Sequence, residues 1–92
     1  MTIKPSLETF KYFIECYFHA DINYSEFEKI VIEFKDMEQE KYSINLLKDA
    51  KAILNENDWE YIYSFVYKYA YRKYEKDRLV EMIWIIIRVL SE

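Results

Sequence analysis

An all-α fold, a compact bundle of about five helices, is predicted by three features of the sequence. Glycine is absent and proline occurs once, at Pro5, whereas the turns of a small β-fold draw on glycine at positive-φ positions. Apolar residues recur at three- and four-residue intervals, the period of a helix buried on one side. Hydrophobic residues make up 52% of the chain and aromatics 20%, enough to build a core despite 33% charged residues. At 92 residues the chain is read as one domain, 1–92, able to bury roughly 60–68% of its unfolded surface.

The first helix is predicted to start near Ser6, a candidate N-cap behind Pro5, and to end around His19. Leu7, Phe10, Phe13, Ile14, Tyr17 and Phe18 share its apolar face, with Glu8, Lys11 and Glu15 turned away. Ser25 and Glu28 form an S-x-x-E capping box for a short second helix, whose stripe is Phe27, Ile30, Val31 and Phe34. A third helix begins between Asp36 and Ser43, with Leu46, Leu47, Ala50, Ile53 and Leu54 as core positions. Asn55-Glu56-Asn57 ends it, asparagine being the best substitute for glycine in a left-handed C-terminal position.

Asp58 is the predicted cap of a fourth helix over Trp59–Tyr74. Its polar residues Glu60, Ser64, Lys68 and Arg72 form one narrow stripe, and Trp59, Ile62, Val66 and Ala70 mark the buried centre. Asp77 is the expected cap of the last helix, in which Glu81 and Arg88 are the only charges between Leu79 and Leu90. A helix so apolar on nearly every side is either central in the domain or covered by a partner.

Composition also narrows function. Without glycine there is no glycine-rich phosphate loop or dinucleotide fingerprint, both of which need backbone close to the phosphate. A net charge of −4 disfavours nucleic acid and suits a basic protein partner. The run Leu79 to Leu90 is shorter than the ~20 residues a membrane span requires, and no secretory signal opens the chain, so no membrane role is expected and the cytoplasm is the expected compartment.

No catalytic or metal constellation is expected, and no cofactor. His19 is the only histidine and lacks the partners a metal or catalytic site needs; beside Asp21 it reads as a satisfied helix-end residue. Cys16, lacking cationic neighbours and an internal disulfide partner, is expected to be a small buried residue. Two features suit protein binding instead. One is the acidic cluster Glu33, Asp36, Glu38, Glu40 at the junction of helices two and three, interrupted by Lys35 and Lys41. The other is the crowd of tyrosines on helix four, more hydroxyls than a small core can satisfy. Tyr63, Tyr69 and Tyr74 are assigned to the core, and Tyr67 and Tyr71, flanking the polar stripe, to a contact surface. The candidate binding residues are therefore Asp36, Glu38, Glu40, Tyr67 and Tyr71.

One segment is more specific. Leu7-Glu8-Thr9-Phe10 leads into Tyr17-Phe18-His19-Ala20-Asp21, then Tyr24-Ser25, then Phe34 closing a short helix. This resembles the Tyr-Phe-His-x-Asp segment and following Ser-capped helix of a family of bacterial contact-dependent growth inhibition immunity proteins. The resemblance extends through the Leu-rich third helix, to about Asn55; beyond Trp59 it is reduced to further helices and the late Trp84. It implies a cytoplasmic protein that binds and blocks a cognate toxin delivered by a neighbouring cell, without identifying that toxin; taken with the acidic charge, the expected partner is a basic domain, a nuclease by expectation. It gives Tyr17, Phe18, His19, Asp21 and Ser25 a structural role, a corner between helices one and two, and assigns no catalytic residue. The expected mechanism is occlusion of the toxin's active site or substrate groove by a monomer. The alternative expectation is a self-association or adaptor module that pairs through helices four and five.

Overall fold

The computed structural model describes residues 7–18 and 23–91. Its helices are α1 (Glu8–Cys16), α2 (Phe27–Met37), α3 (Glu40–Glu56), α4 (Trp59–Ala70) and α5 (Lys76–Ser91), with a 3-10 turn at Tyr24–Glu26 leading into α2. Among the described residues there is no strand. The fold is a compact all-α bundle. Helix α5 is the central element: it packs against α2, α3 and α4, while α1 lies across α3 and α4. Its near-continuous apolar sequence is thereby used inside the molecule, with Leu79, Met82, Ile83, Ile86 and Val89 buried.

The predicted stripes are the observed core, except that Leu47 is half-buried at a surface groove and Trp59 is only partly buried against the core. Phe10, Phe13 and Ile14 of α1 are fully buried, as are Phe27, Val31 and Phe34 of α2. The aromatics interlock edge to face: Phe13 meets Phe27 at 5.8 Å and Phe34 at 5.3 Å, and Phe18 meets Phe27 at 4.9 Å. From α3 come Leu46, Ala50 and Ile53, with Leu54 packed at the edge; from α4 come Ile62, Val66 and Ala70, joined by Phe65.

Helix ends show where local signals hold and where they fail. Asn57 closes α3 in the left-handed region at φ 55°, its N–H donating to the Ile53 carbonyl at 3.1 Å, as an Asn-rich stop predicts. Asp58 then caps α4 by accepting from the Tyr61 N–H at 3.2 Å. Helix α4, however, stops at Ala70 rather than Tyr74, because Tyr71 turns left-handed at φ 59°. Arg72 therefore leaves the polar stripe and lays its guanidinium over the Phe18 ring, 4.1 Å from the centroid. Likewise α1 ends at Cys16, not near His19, with Tyr17 as its C-terminal cap. The capping box at Ser25 does not form: a 3-10 turn takes up Tyr24–Glu26, α2 starts at Phe27, and no side chain caps it. Helix α5 begins one position before the expected cap, so Asp77 is a first-turn residue whose charge favours the positive helix end.

The start of α1 is held from outside. Leu7 is the N-cap residue, left-handed at φ 53° and without a side-chain cap of its own. The missing acceptor comes from α3: Asp49 Oδ2 takes the Phe10 N–H at 3.0 Å. Burial raises the Asp49 carboxyl above its usual range, against the lowering effect of the Phe10 and Thr9 N–H groups. A raised folded value means this group favours folding most in acid and loses that contribution as pH rises through the folded value. Asp49→Ala is expected to cost about 1 kcal/mol, the scale of a lost N-cap, while Asp49→Asn, which keeps an acceptor without the buried charge, should stay near wild type. Urea denaturation of both variants checks this; equal losses would mean that charge, not capping, is what matters.

Candidate protein-binding surface

The acidic cluster sits on a corner where α2 ends and α3 begins. Helix α2 stops at Met37, Glu38 runs extended, and α3 starts at Glu40. Asp36 and Glu40 are exposed. Between them Met37 is 78% exposed, and Ile44, one turn into α3, is 47% exposed. Beside these residues lies a groove of about 380 Å³ whose walls include Lys35, Glu38, Ile44, Leu47 and Leu90. Lys35 is tied back to α5, donating to the Val89 carbonyl at 3.3 Å.

Glu38 is built differently from its neighbours. Its Oε2 accepts from two tyrosine hydroxyls of the first segment, Tyr12 at 3.0 Å and Tyr17 at 2.5 Å. It therefore fastens the α1 end to the α2–α3 link as well as adding charge. The Tyr17 hydroxyl is held well above the usual tyrosine range, first by this hydrogen bond and then by burial. Tyr24 is raised too, by burial and by donating to Glu81 of α5 at 2.5 Å. Both contributions are present below the unfolded tyrosine value of about 10 and vanish as pH climbs through the higher folded values. Alkaline absorbance titration should thus show a late-ionising tyrosine population, and Glu38→Gln should bring Tyr17 forward, and Tyr12 with it, while Tyr24 stays late. Two unshifted late tyrosines in that variant would separate Tyr17 from Glu38.

The tyrosine group lies elsewhere. Tyr67 and Tyr71 are exposed near the C-terminal end of α4, just before the first turn of α5, whereas the acidic corner adjoins the last turn of α5 at Val89 and Leu90. The structure thus places the predicted binding residues at opposite ends of α5 rather than on one face. The Tyr67 ring also carries Lys73, 5.2 Å from its centroid, so its surroundings are basic. Of the three tyrosines assigned to the core, Tyr69 and Tyr74 pack against it, but Tyr63 is exposed, one position off the Ile62–Val66–Ala70 stripe. Cys16, expected to be buried, is exposed as well: it is the last residue of α1, about 60° round from Phe13 on the side away from Ile14, and so lies off the edge of the apolar face.

Of the proposed structural corner, Phe18 is buried and Tyr17 is half-buried against Phe34, while Ser25 is exposed in the 3-10 turn. His19 and Asp21 lie outside the described residues. Sequence reasoning missed Met37 and Ile44. Ile44 was discoverable, being two positions off the Leu46 stripe; Met37, three residues after Phe34, is on the core period and is exposed only because the helix ends there.

Among the described residues no group of three His, Cys, Asp or Glu side chains is arranged to hold a metal ion, and no helix is long and apolar enough to cross a membrane. Comparison with protein-family models, with curated proteins and with solved structures returns no match for this chain.

Proposed function

We propose that this chain is an immunity protein of the contact-dependent growth inhibition type, acting in the cytoplasm by binding rather than catalysis. Its acidic corner covers the active site or substrate groove of a basic toxin domain, a nuclease by expectation. The observation that supports this most is the corner itself: Met37 and Ile44 exposed beside the exposed carboxylates of Asp36 and Glu40. An apolar contact flanked by carboxylates is the layout of an interface that is steered electrostatically and anchored by burial. The Tyr-Phe-His-x-Asp resemblance gives the partner its class. The test is rescue: a neighbouring open reading frame should encode a toxic C-terminal domain, co-expression of this chain with that domain should restore growth, and the pair should co-elute in a fixed ratio. Unrelieved growth arrest, with no complex formed, overturns the reading.

A second reading is favoured by a separate observation. Trp84 of α5 is 55% exposed and Ile32 of α2 is 44% exposed, on the surface that also carries the 2.7 Å Arg88–Glu28 ion pair. A tryptophan there suits self-association through the outer face of α5. Concentration-dependent mass measurement separates the two readings: a dimer abolished by Trp84→Ala supports self-association, and a monomer at all concentrations removes it.

A further inference from the structure

The cleft between α1 and α4 has a different character from the acidic corner. Tyr61, Phe65 and Tyr69, spaced four apart, form a ladder of rings along one side of α4, with Phe65 5.9 Å from Tyr61 and 4.8 Å from Tyr69. Phe10 of α1 backs the ladder, stacked on Phe65 at 5.6 Å. These rings line an opening of about 410 Å³, within the ~300–1,000 Å³ range of small-molecule sites. Ser64 and Lys68, one position round the helix, form one wall; Glu8 and Lys11 of α1 form the other.

The charges in this cleft are unusual for an acidic protein. Lys11 and Lys68, from different helices, both converge on the Tyr69 ring, 4.8 Å and 5.2 Å from its centroid. Among the described residues neither ammonium is in an ion pair. A ring face attracts each cation, but it carries no net charge to offset the repulsion between them. An anion in the cleft that both lysines line would do so, and a phosphoryl group, with a charge of about −1.5 to −2, matches a lysine pair. Glu8 on the α1 side repels a second anionic group, which limits the ligand to one phosphoryl. Phe65 is buried and closes the floor, while the half-buried Tyr61 and Tyr69 rings on either side of it offer apolar contact to a planar ring.

We propose that the α1–α4 cleft is a binding site for a small phosphate monoester carrying a planar ring, with Lys11 and Lys68 holding the phosphoryl group and the half-buried Tyr61 and Tyr69 holding the ring. The site is independent of the acidic corner and of the toxin reading. Phenyl phosphate is the probe, titrated into the full chain by calorimetry and followed by NMR, with phenol and inorganic phosphate as its two halves. Saturable one-to-one binding is expected, at least tenfold tighter than for either half and weakening as salt is raised. Lys11→Gln and Lys68→Gln should each weaken it several-fold, and together should abolish it while the circular dichroism spectrum and thermal midpoint hold; Glu8→Gln should tighten it. Absence of saturation at tens of millimolar, or equal affinity in the folded double variant, overturns the assignment. Binding of inorganic phosphate as tight as phenyl phosphate overturns the role of the rings.

Discussion

Phe13→Ala is expected to remove about 3–5 kcal/mol of folding stability, the range for deleting a fully enclosed phenylalanine. Its ring is 0% exposed and touches Tyr17, Phe27 and Phe34, so it joins the end of α1 to both ends of α2. Edge-to-face contacts add roughly 0.5–1.5 kcal/mol per pair to plain burial, which places this site toward the upper end. Small domains commonly hold only about 5–15 kcal/mol in total, so the variant should be near the limit of folding. Urea denaturation with an unchanged slope would measure the loss. A cost below about 1 kcal/mol would mean that the cavity collapses freely and that the aromatic cluster is not the keystone of the α1–α2 contact.

Replacing the charges of the acidic corner is expected to have the largest effect on partner binding. Asp36→Lys combined with Glu40→Lys should slow association with a basic toxin domain at least tenfold at low salt and flatten its salt dependence, because exposed carboxylates act through steering. Met37→Ala should act instead on dissociation, costing on the order of 2 kcal/mol if its side chain fills a pocket on the partner. Glu38 is left out of this test by design, since its carboxylate holds Tyr12 and Tyr17 and its loss would confound binding with stability. Surface plasmon resonance separates the rates. An unchanged on-rate in the double variant, together with unchanged affinity in Met37→Ala, would move the interface away from this corner, toward Tyr67 and Tyr71 or the Trp84 face.

The candidate surface was half legible in the sequence. The acidic run around Asp36 could be read directly, since four carboxylates within eight positions cannot all be buried. That Glu38 is partly committed to two tyrosines could not be read, because Tyr12 and Tyr17 lie 26 and 21 positions away. Nor could the separation of the acidic corner from Tyr71, which depends on the direction in which α5 runs between them. The lysine pair of the α1–α4 cleft was hidden for the same reason: Lys11 and Lys68 meet over one ring only after α1 packs on α4.

What the sequence determined by itself was the local and periodic part of the structure. The spacing of apolar residues specified which face of each helix is buried, and Asn57-Asp58 specified the break between α3 and α4, because these depend on neighbours within one or two turns. The tertiary structure decided the rest. It ended α4 at a left-handed Tyr71, where no local residue type demanded a stop, and it drew Arg72 onto the Phe18 ring. It supplied the cap of α1 from Asp49, distant in sequence but one helix away in space. Helix ends leave unpaired backbone donors whose acceptor can come from anywhere nearby, so a cap is written into the sequence only when the nearest acceptor is also the next residue along the chain.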